Sequence, residues 1–95
     1  MDGAWVYILR CSDGSFYVGT TRSSVEQRFN EHQQGAFYGY TAKRRPVELV
    51  YAQHFQQITD AIAAERQVKG WRREKKIALI EGRLGDLPGL SKRGG

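Results

Sequence analysis

Cysteine is almost missing from this chain: Cys11 stands alone, beside two histidines, His32 and His54. A lone thiol closes no intramolecular disulfide, and one cysteine with two histidines falls short of a standard structural zinc site. Long apolar runs are missing too. Nothing approaches the roughly 20 apolar residues needed to cross a bilayer. The opening Met1-Asp2-Gly3-Ala4 lacks a basic segment followed by an apolar one, so no secretory leader is expected. These absences argue against a disulfide scaffold, a zinc fold and a membrane protein, and fit a reducing, cytoplasmic setting. Internal repeats and interdomain linkers are absent as well, and 95 residues suit one domain with a modest core.

What the chain does have is positive charge, 15 Lys and Arg against 10 Asp and Glu, a net +5. That balance suits a polyanionic partner, since each phosphate neutralised releases counterions. Many small basic proteins bind no polyanion, so charge alone does not decide the matter.

The chain reads as α/β. Ala4 to Arg10, rich in Trp, Val, Tyr and Ile, reads as a strand, and Phe16 to Thr20 as a second. Ser12-Asp13-Gly14 between them is a hairpin turn with two possible registers. A two-residue loop pairs Ser12 with Ser15 and sends Tyr7 and Tyr17 to opposite faces. A three-residue loop pairs Cys11 with Ser15, sets Tyr7 opposite Gly19 and Leu9 opposite Tyr17, and puts both tyrosines on one face. Ser23 and Glu26 have the spacing of a capping box before a helix from about Ser24 to Gln34, with Gly35 as its stop. Residues 36–45 read as a loop holding Phe37, Tyr38, Tyr40, Lys43, Arg44 and Arg45. After Pro46, residues 47–55 read as a third strand. Thr59 can cap a helix from Asp60 to about Gly70, Gly70 and Trp71 mark a break, and a last helix runs from Arg72 to Glu81. The expected domain is residues 1–84, with a mobile glycine-rich tail over 85–95.

Two helices break their own patterns. In the first, Val25 and Phe29 define an apolar stripe, and Arg28 and His32 lie on the same side. In the second, Glu65 lies within the stripe of Ala61, Ile62 and Val68. A charge on an apolar face costs several kcal/mol, roughly, unless it is paired or holds a ligand. Arg28 and Glu65 can pair with each other, either can reach water along its stem, and Glu65 can pair with Lys69 one turn on. The remaining reading is that function overrides local consistency here.

These residues, taken in order, resemble the GIY-YIG nuclease family. Trp5-Val6-Tyr7 matches the first motif and Tyr17-Val18-Gly19 the second. Arg28-Phe29-Asn30-Glu31-His32 is similar to the family's Arg-x-x-x-His/Tyr helix, and Ala64 to Lys69 to the helix with its metal-binding glutamate. The run Lys69-Gly70-Trp71-Arg72-Arg73-Glu74-Lys75-Lys76 is similar to the small stand-alone bacterial branch, predicted nucleases related to the excision-repair incision domain. Two departures stand out: Trp5 occupies the place of the first glycine, and the asparagine that many members carry after the glutamate helix has no counterpart.

The resemblance implies a central antiparallel three-stranded sheet flanked by helices, its strands in chain order, with both middle helices bringing Arg28 and Glu65 to the tyrosine face. It implies hydrolysis of DNA phosphodiester bonds, in DNA repair or recombination. Glu65 would hold one Mg²⁺ or Mn²⁺, a hard cation that keeps most of its waters. Arg28 would place its guanidinium on the phosphoryl oxygens. Tyr17 would position or deprotonate the attacking water, helped by Tyr7, although a free phenol near pKa ~10 is a weak base. His32 would accept or relay a proton, and Gly19 would allow close approach. Lys43, Arg44, Arg45, Lys69, Arg72 and Arg73, with Lys75 and Lys76, are candidate DNA contacts, and the aromatics Phe37, Tyr38 and Tyr40 could stack on bases. With no second domain to read sequence, structure-selective or weakly specific cleavage is expected. The alternative is a module of the same fold that binds nucleic acid without cutting it.

Overall fold

The first strand, β1 (Ala4–Arg10), has almost no surface left for water: Ala4, Val6, Tyr7, Ile8 and Leu9 are each 2% exposed or less. A strand buried on both faces belongs in the middle of a sheet. In this computed structural model, which describes residues 3–36 and 39–83, β1 is the central strand, between β2 (Phe16–Thr21) and β3 (Glu48–Phe55), both antiparallel to it. The order β2-β1-β3 corrects the expected chain order, because the strand with the most apolar surface takes the doubly covered position. The expected tail over 85–95, and Phe37 and Tyr38 in the loop, lie outside the described residues.

The hairpin resolves in favour of three loop residues. The Cys11 N–H donates to Ser15 O at 2.8 Å, and Gly14 adopts φ +86°, a conformation that favours glycine. Asp13 braces the turn by accepting from the Ser15 N–H. The resulting register pairs Tyr7 with Gly19 and Leu9 with Tyr17.

Alternation along β1 then makes two cores. Val6 and Ile8, with Val18, pack against Ala61 and Val68 of α2 (Ile58–Lys69). Tyr7 and Leu9 face the other way, against Val25 and Phe29 of α1 (Val25–Gln33). The two middle helices thus cover opposite faces of the sheet, where the sequence reading put both on one. A last helix, α3 (Arg73–Ile80), contributes Leu79 and Ile80 to the α2 side.

Both helix starts differ from the expected ones. Ser24, not Ser23, caps α1, its hydroxyl accepting from the Gln27 N–H at 3.2 Å. Ser23 is instead drawn back onto Thr21, whose hydroxyl accepts from the Ser23 N–H at 3.0 Å. Gln57 holds the N-cap position of α2 with no side-chain bond, which leaves Thr59 inside the first turn. No helix among the described residues is long and apolar enough to cross a membrane.

The loop between α1 and β3 is anchored at its far end. Gln33 donates to Val47 O at 2.9 Å and accepts from the Val47 N–H at 2.8 Å. The Ser12 N–H donates to Arg44 O at 2.9 Å, tying the same loop to the hairpin turn. The loop is thereby held across the open side of the tyrosine face.

Candidate functional site

The hairpin register decides whether a site exists, since it puts Tyr7 and Tyr17 on one face, ring centroids 6.3 Å apart. Gly19, opposite Tyr7, provides the room: a Cβ there would lie 2.7 Å from the Tyr7 hydroxyl oxygen and 3.0 Å from the Tyr17 ring. Tyr7 is fully buried and Tyr17 half-buried, so Tyr17 is the phenol that meets solvent.

His32 completes the cluster from α1. Its ring lies 4.9 Å from that of Tyr17, and its Nε2 is 3.2 Å from the Tyr7 hydroxyl. On the other side, Nδ1 is 2.7 Å from the hydroxyl of Thr41. His32 and Thr41 are 3% and 2% exposed, so this chain of three polar groups runs through the core. Burial, and then the neighbouring Tyr17 phenol, push the Tyr7 hydroxyl up to about 12, with Arg28 pulling the other way. Burial and then the charge of Arg28 hold the His32 imidazole below its usual 6.5, with Glu31 opposing. At neutral pH Tyr7 therefore keeps its proton and His32 remains uncharged, able to accept one.

Thr41 was not legible as a site residue, because a hydroxyl in an aperiodic loop carries no pattern. Its role gives a direct expectation. Thr41→Val keeps the shape and strands one imidazole nitrogen in the core, a loss of about 1–3 kcal/mol. At 4–8 °C per kcal/mol for so small a domain, the melting temperature should drop by roughly 5–20 °C, while Thr41→Ser should restore most of it. Equal melting curves for Thr41→Val and wild type would remove the role.

The depressed His32 also sets a pH dependence. Native His32 binds a proton less readily than the same residue in the unfolded chain. The unfolded state then holds more protons just below the usual 6.5, and stability must fall as the pH drops through that window. Melts from about pH 7.5 to 5.5 should show His32→Gln losing less stability on acidification than wild type. Parallel losses in the two proteins would show that other groups carry the acid sensitivity.

Arg28 borders the same cluster. Its Nε donates to the Thr21 hydroxyl at 3.2 Å, and Glu31 is 3.6 Å from its Nη1. Its side chain is 37% exposed, at the edge of the core. Thr21, buried at the inner end of β2, is a second positioning residue that sequence reasoning missed. Arg28 also lines a cleft of about 500 Å³ with Thr20, Thr21, Arg22 and, from α2, Ile58 and Ile62.

Glu65 stands one turn beyond Ile62. Its partner is Lys69, with Nζ 2.7 Å from Oε2, and its side chain is 16% exposed. The i,i+4 pair is thus the one that forms. Although α2 covers the opposite face, Glu65 is among the charges raising Tyr7, and Tyr17 acts on Lys69. Tyr7, Tyr17, His32, Arg28 and Glu65 share one electrostatic neighbourhood beside the outer strand β2.

Several expected DNA contacts also brace the fold. Arg44 pairs with Asp13 at 3.1 Å, donates to Tyr40 O and stacks over the Tyr40 ring at 3.9 Å. Arg45 donates to Ala42 O and Gln33 O. Arg73 donates to Gly14 O at 2.6 Å and lies over Phe16. Arg44 and Arg73 hold the loop and α3 against the hairpin, and Arg45 ties the loop to the end of α1. Lys43, Lys69 and Arg72 are exposed. Tyr40, 41% exposed, lies 6.5 Å from Tyr17.

Among the described residues no three His, Cys, Asp or Glu side chains converge as a metal cage. One carboxylate is nonetheless the donor chemistry a largely hydrated Mg²⁺ accepts, and Glu65, which acts electrostatically on Tyr7, is such a carboxylate.

Comparison with known proteins bears on the fold. The family model described as the GIY-YIG catalytic domain matches residues 3–78. UPF0213 proteins of Staphylococcus aureus, strains Mu3 and N315 among them, are 41% identical over 83 residues, covering 87% of this chain and 100% of theirs. The solution structure of a UPF0213 protein from Bacillus halodurans is 38% identical over 83% of both chains, with a TM-score of 0.55. That of a protein from E. faecalis is 36% identical over 86% of both, with a TM-score of 0.60.

Proposed function

We propose, from the fact that this chain belongs to the GIY-YIG family, that it is a metal-dependent endonuclease cutting DNA phosphodiester bonds with structure-selective or weak sequence preference. The observation that carries the reading is the joint placement of Tyr7, Tyr17 and His32 around Gly19, with Arg28 at their border. Membership of a nuclease-type family supports the reaction class, and the net charge of +5 supports a polyanionic substrate. The resemblance of the run Lys69 to Lys76 to a branch related to the excision-repair incision domain favours a place in DNA repair or recombination.

Each residue then has a task. Tyr17, the half-exposed phenol, holds the attacking water against phosphorus. Arg28 places planar donors on the phosphoryl oxygens as charge develops there. Tyr7, kept protonated by burial, donates a hydrogen bond, and the Tyr7–His32–Thr41 chain fixes its direction. His32, uncharged, takes up a proton released toward Tyr7. Glu65 would hold the Mg²⁺, which supplies Lewis-acid stabilisation of the phosphate and leaving oxygen when bound.

Supercoiled plasmid incubated with Mg²⁺ or Mn²⁺, beside an EDTA control, tests the reading, and metal-dependent nicking is expected. The ion pair that already engages Glu65 with Lys69 favours a second reading, a module that binds DNA without cutting it. DNA binding indifferent to Mg²⁺, with no nicking, would establish that one instead.

A further inference from the structure

A second cleft is separate from the one that holds Arg28. It has a volume of about 770 Å³ and lies at the other end of the β2–α1 connection, between Gly3 and Trp5 of the central strand's start and His54, Gln56 and Gln57 at the end of β3. Arg22 and Ser23 line this cleft and also the cleft that holds Arg28. The two clefts thus adjoin at a wall of Arg22 and Ser23, a bent trough that a strand would cross at Arg22.

Its lining is unusual for this surface. Arg22, His54, Gln56 and Gln57 supply donors, and among the described residues no carboxylate lines either part. Arg22 is exposed and takes part in none of the ion pairs formed by the described residues. Arg44, Arg45 and Arg73, by contrast, are engaged in bracing the loop and α3. The floor is aromatic: the His54 ring sits edge-on to Trp5 at 5.1 Å. It lies so close over Gly3 that a Cβ at that position would collide with it. A guanidinium, amide donors and an aromatic floor, without acidic groups, match a nucleic-acid backbone with its sugars and bases.

We propose that this trough seats the strand that runs on from the scissile phosphate, with Arg22 on a neighbouring phosphate and the Trp5–His54 pair against the next sugar and base. The proposal rests on the nuclease reading above and adds to it a path for the substrate. It also makes Arg22 a binding residue distinct from Arg28, with its effect on affinity rather than on the chemical step.

Anisotropy of fluorescein-labelled DNA oligonucleotides, titrated in EDTA over a salt series, tests it, with plasmid nicking in Mg²⁺ run in parallel. Arg22→Gln should weaken binding by about five-fold and lower the salt slope by about one unit, as for one lost phosphate contact. The cleavage defect should appear in KM more than in kcat. His54→Ala, an exposed change, should weaken binding without altering the salt slope. Shortening the oligonucleotide from one end should cost wild type more affinity than it costs Arg22→Gln, and shortening from the other end should cost both alike. Wild-type affinity and slope in Arg22→Gln overturn the trough even if the wild type nicks DNA. An Arg22-dependent affinity in a protein that never nicks supports the trough and overturns the nuclease reading. Failure of the wild type to bind DNA overturns both.

Discussion

Arg28→Ala is expected to lower the cleavage rate on the order of 10³-fold, while DNA affinity falls only as far as one lost phosphate contact requires. An arginine aimed at a reacting phosphoryl group is worth most in the transition state, where charge builds on the oxygens, and contributes at this scale in other phosphoryl-transfer enzymes. In the ground state it is one cation among several, so the salt slope should drop by about one unit. Arg28 is held for this by the Thr21 hydroxyl at its Nε, with Glu31 beside Nη1. Both contacts are at a partly exposed position, so the fold should tolerate its loss, and melting should shift by no more than a surface substitution allows, within about 0.5 kcal/mol. Single-turnover cleavage, oligonucleotide titration and thermal melts separate the outcomes. An unfolded Arg28→Ala protein would return the residue to a structural role, and cleavage at the wild-type rate would remove it from the chemistry.

Glu65→Gln is expected to abolish metal-dependent cleavage and to leave the metal-free protein nearly as stable as before. A pairing of Glu65 with Arg28 would have made the change costly, about 3 kcal/mol or more, by leaving a buried charge alone. The structure gives Glu65 a different partner, Lys69, whose side chain is 57% exposed. Lys69 returns to water when the carboxylate is gone, and an exposed helix pair contributes roughly 0–1 kcal/mol. The expected change of melting temperature in EDTA is therefore small. Added Mg²⁺ should raise the melting temperature of wild type and not of the variant, since a ligand that binds only the native state stabilises it by mass action. A variant that still nicks plasmid at the wild-type rate would overturn the metal assignment, as would a rise with Mg²⁺ equal in the two proteins.

The residue types and their spacing carried much of this site before any coordinates. The charges Arg28 and Glu65, each misplaced on an apolar helix face, marked the two helices, and the motif pair around Tyr7 and Tyr17 marked the hairpin. The local signals failed where two neighbours offered the same chemistry. Ser23 and Ser24 can each cap a helix. Thr21 accepts from the Ser23 N–H, and Ser24 takes the cap. The basic loop shows a different limit: Arg44 and Arg45 look like phosphate contacts in sequence, and in the fold each also spends two donors on Asp13, Tyr40, Ala42 and Gln33. Composition counts charges and does not show which of them is already satisfied.

Sequence by itself determined the elements, their antiparallel α/β class and the identity of the chemical groups, because periodicity, turn chemistry and misplaced charge are local properties. Tertiary structure decided three further things. Packing chose β1 as the central strand, since only its residues needed cover on both faces. Gly14 at positive φ fixed the three-residue turn, and with it the face shared by Tyr7 and Tyr17. The folding of an aperiodic loop over that face delivered Thr41 to His32, a contact between residues nine apart that neither helical nor strand spacing encodes. Each of these depends on which surfaces compete for burial, and that competition exists only once the whole chain has collapsed around β1.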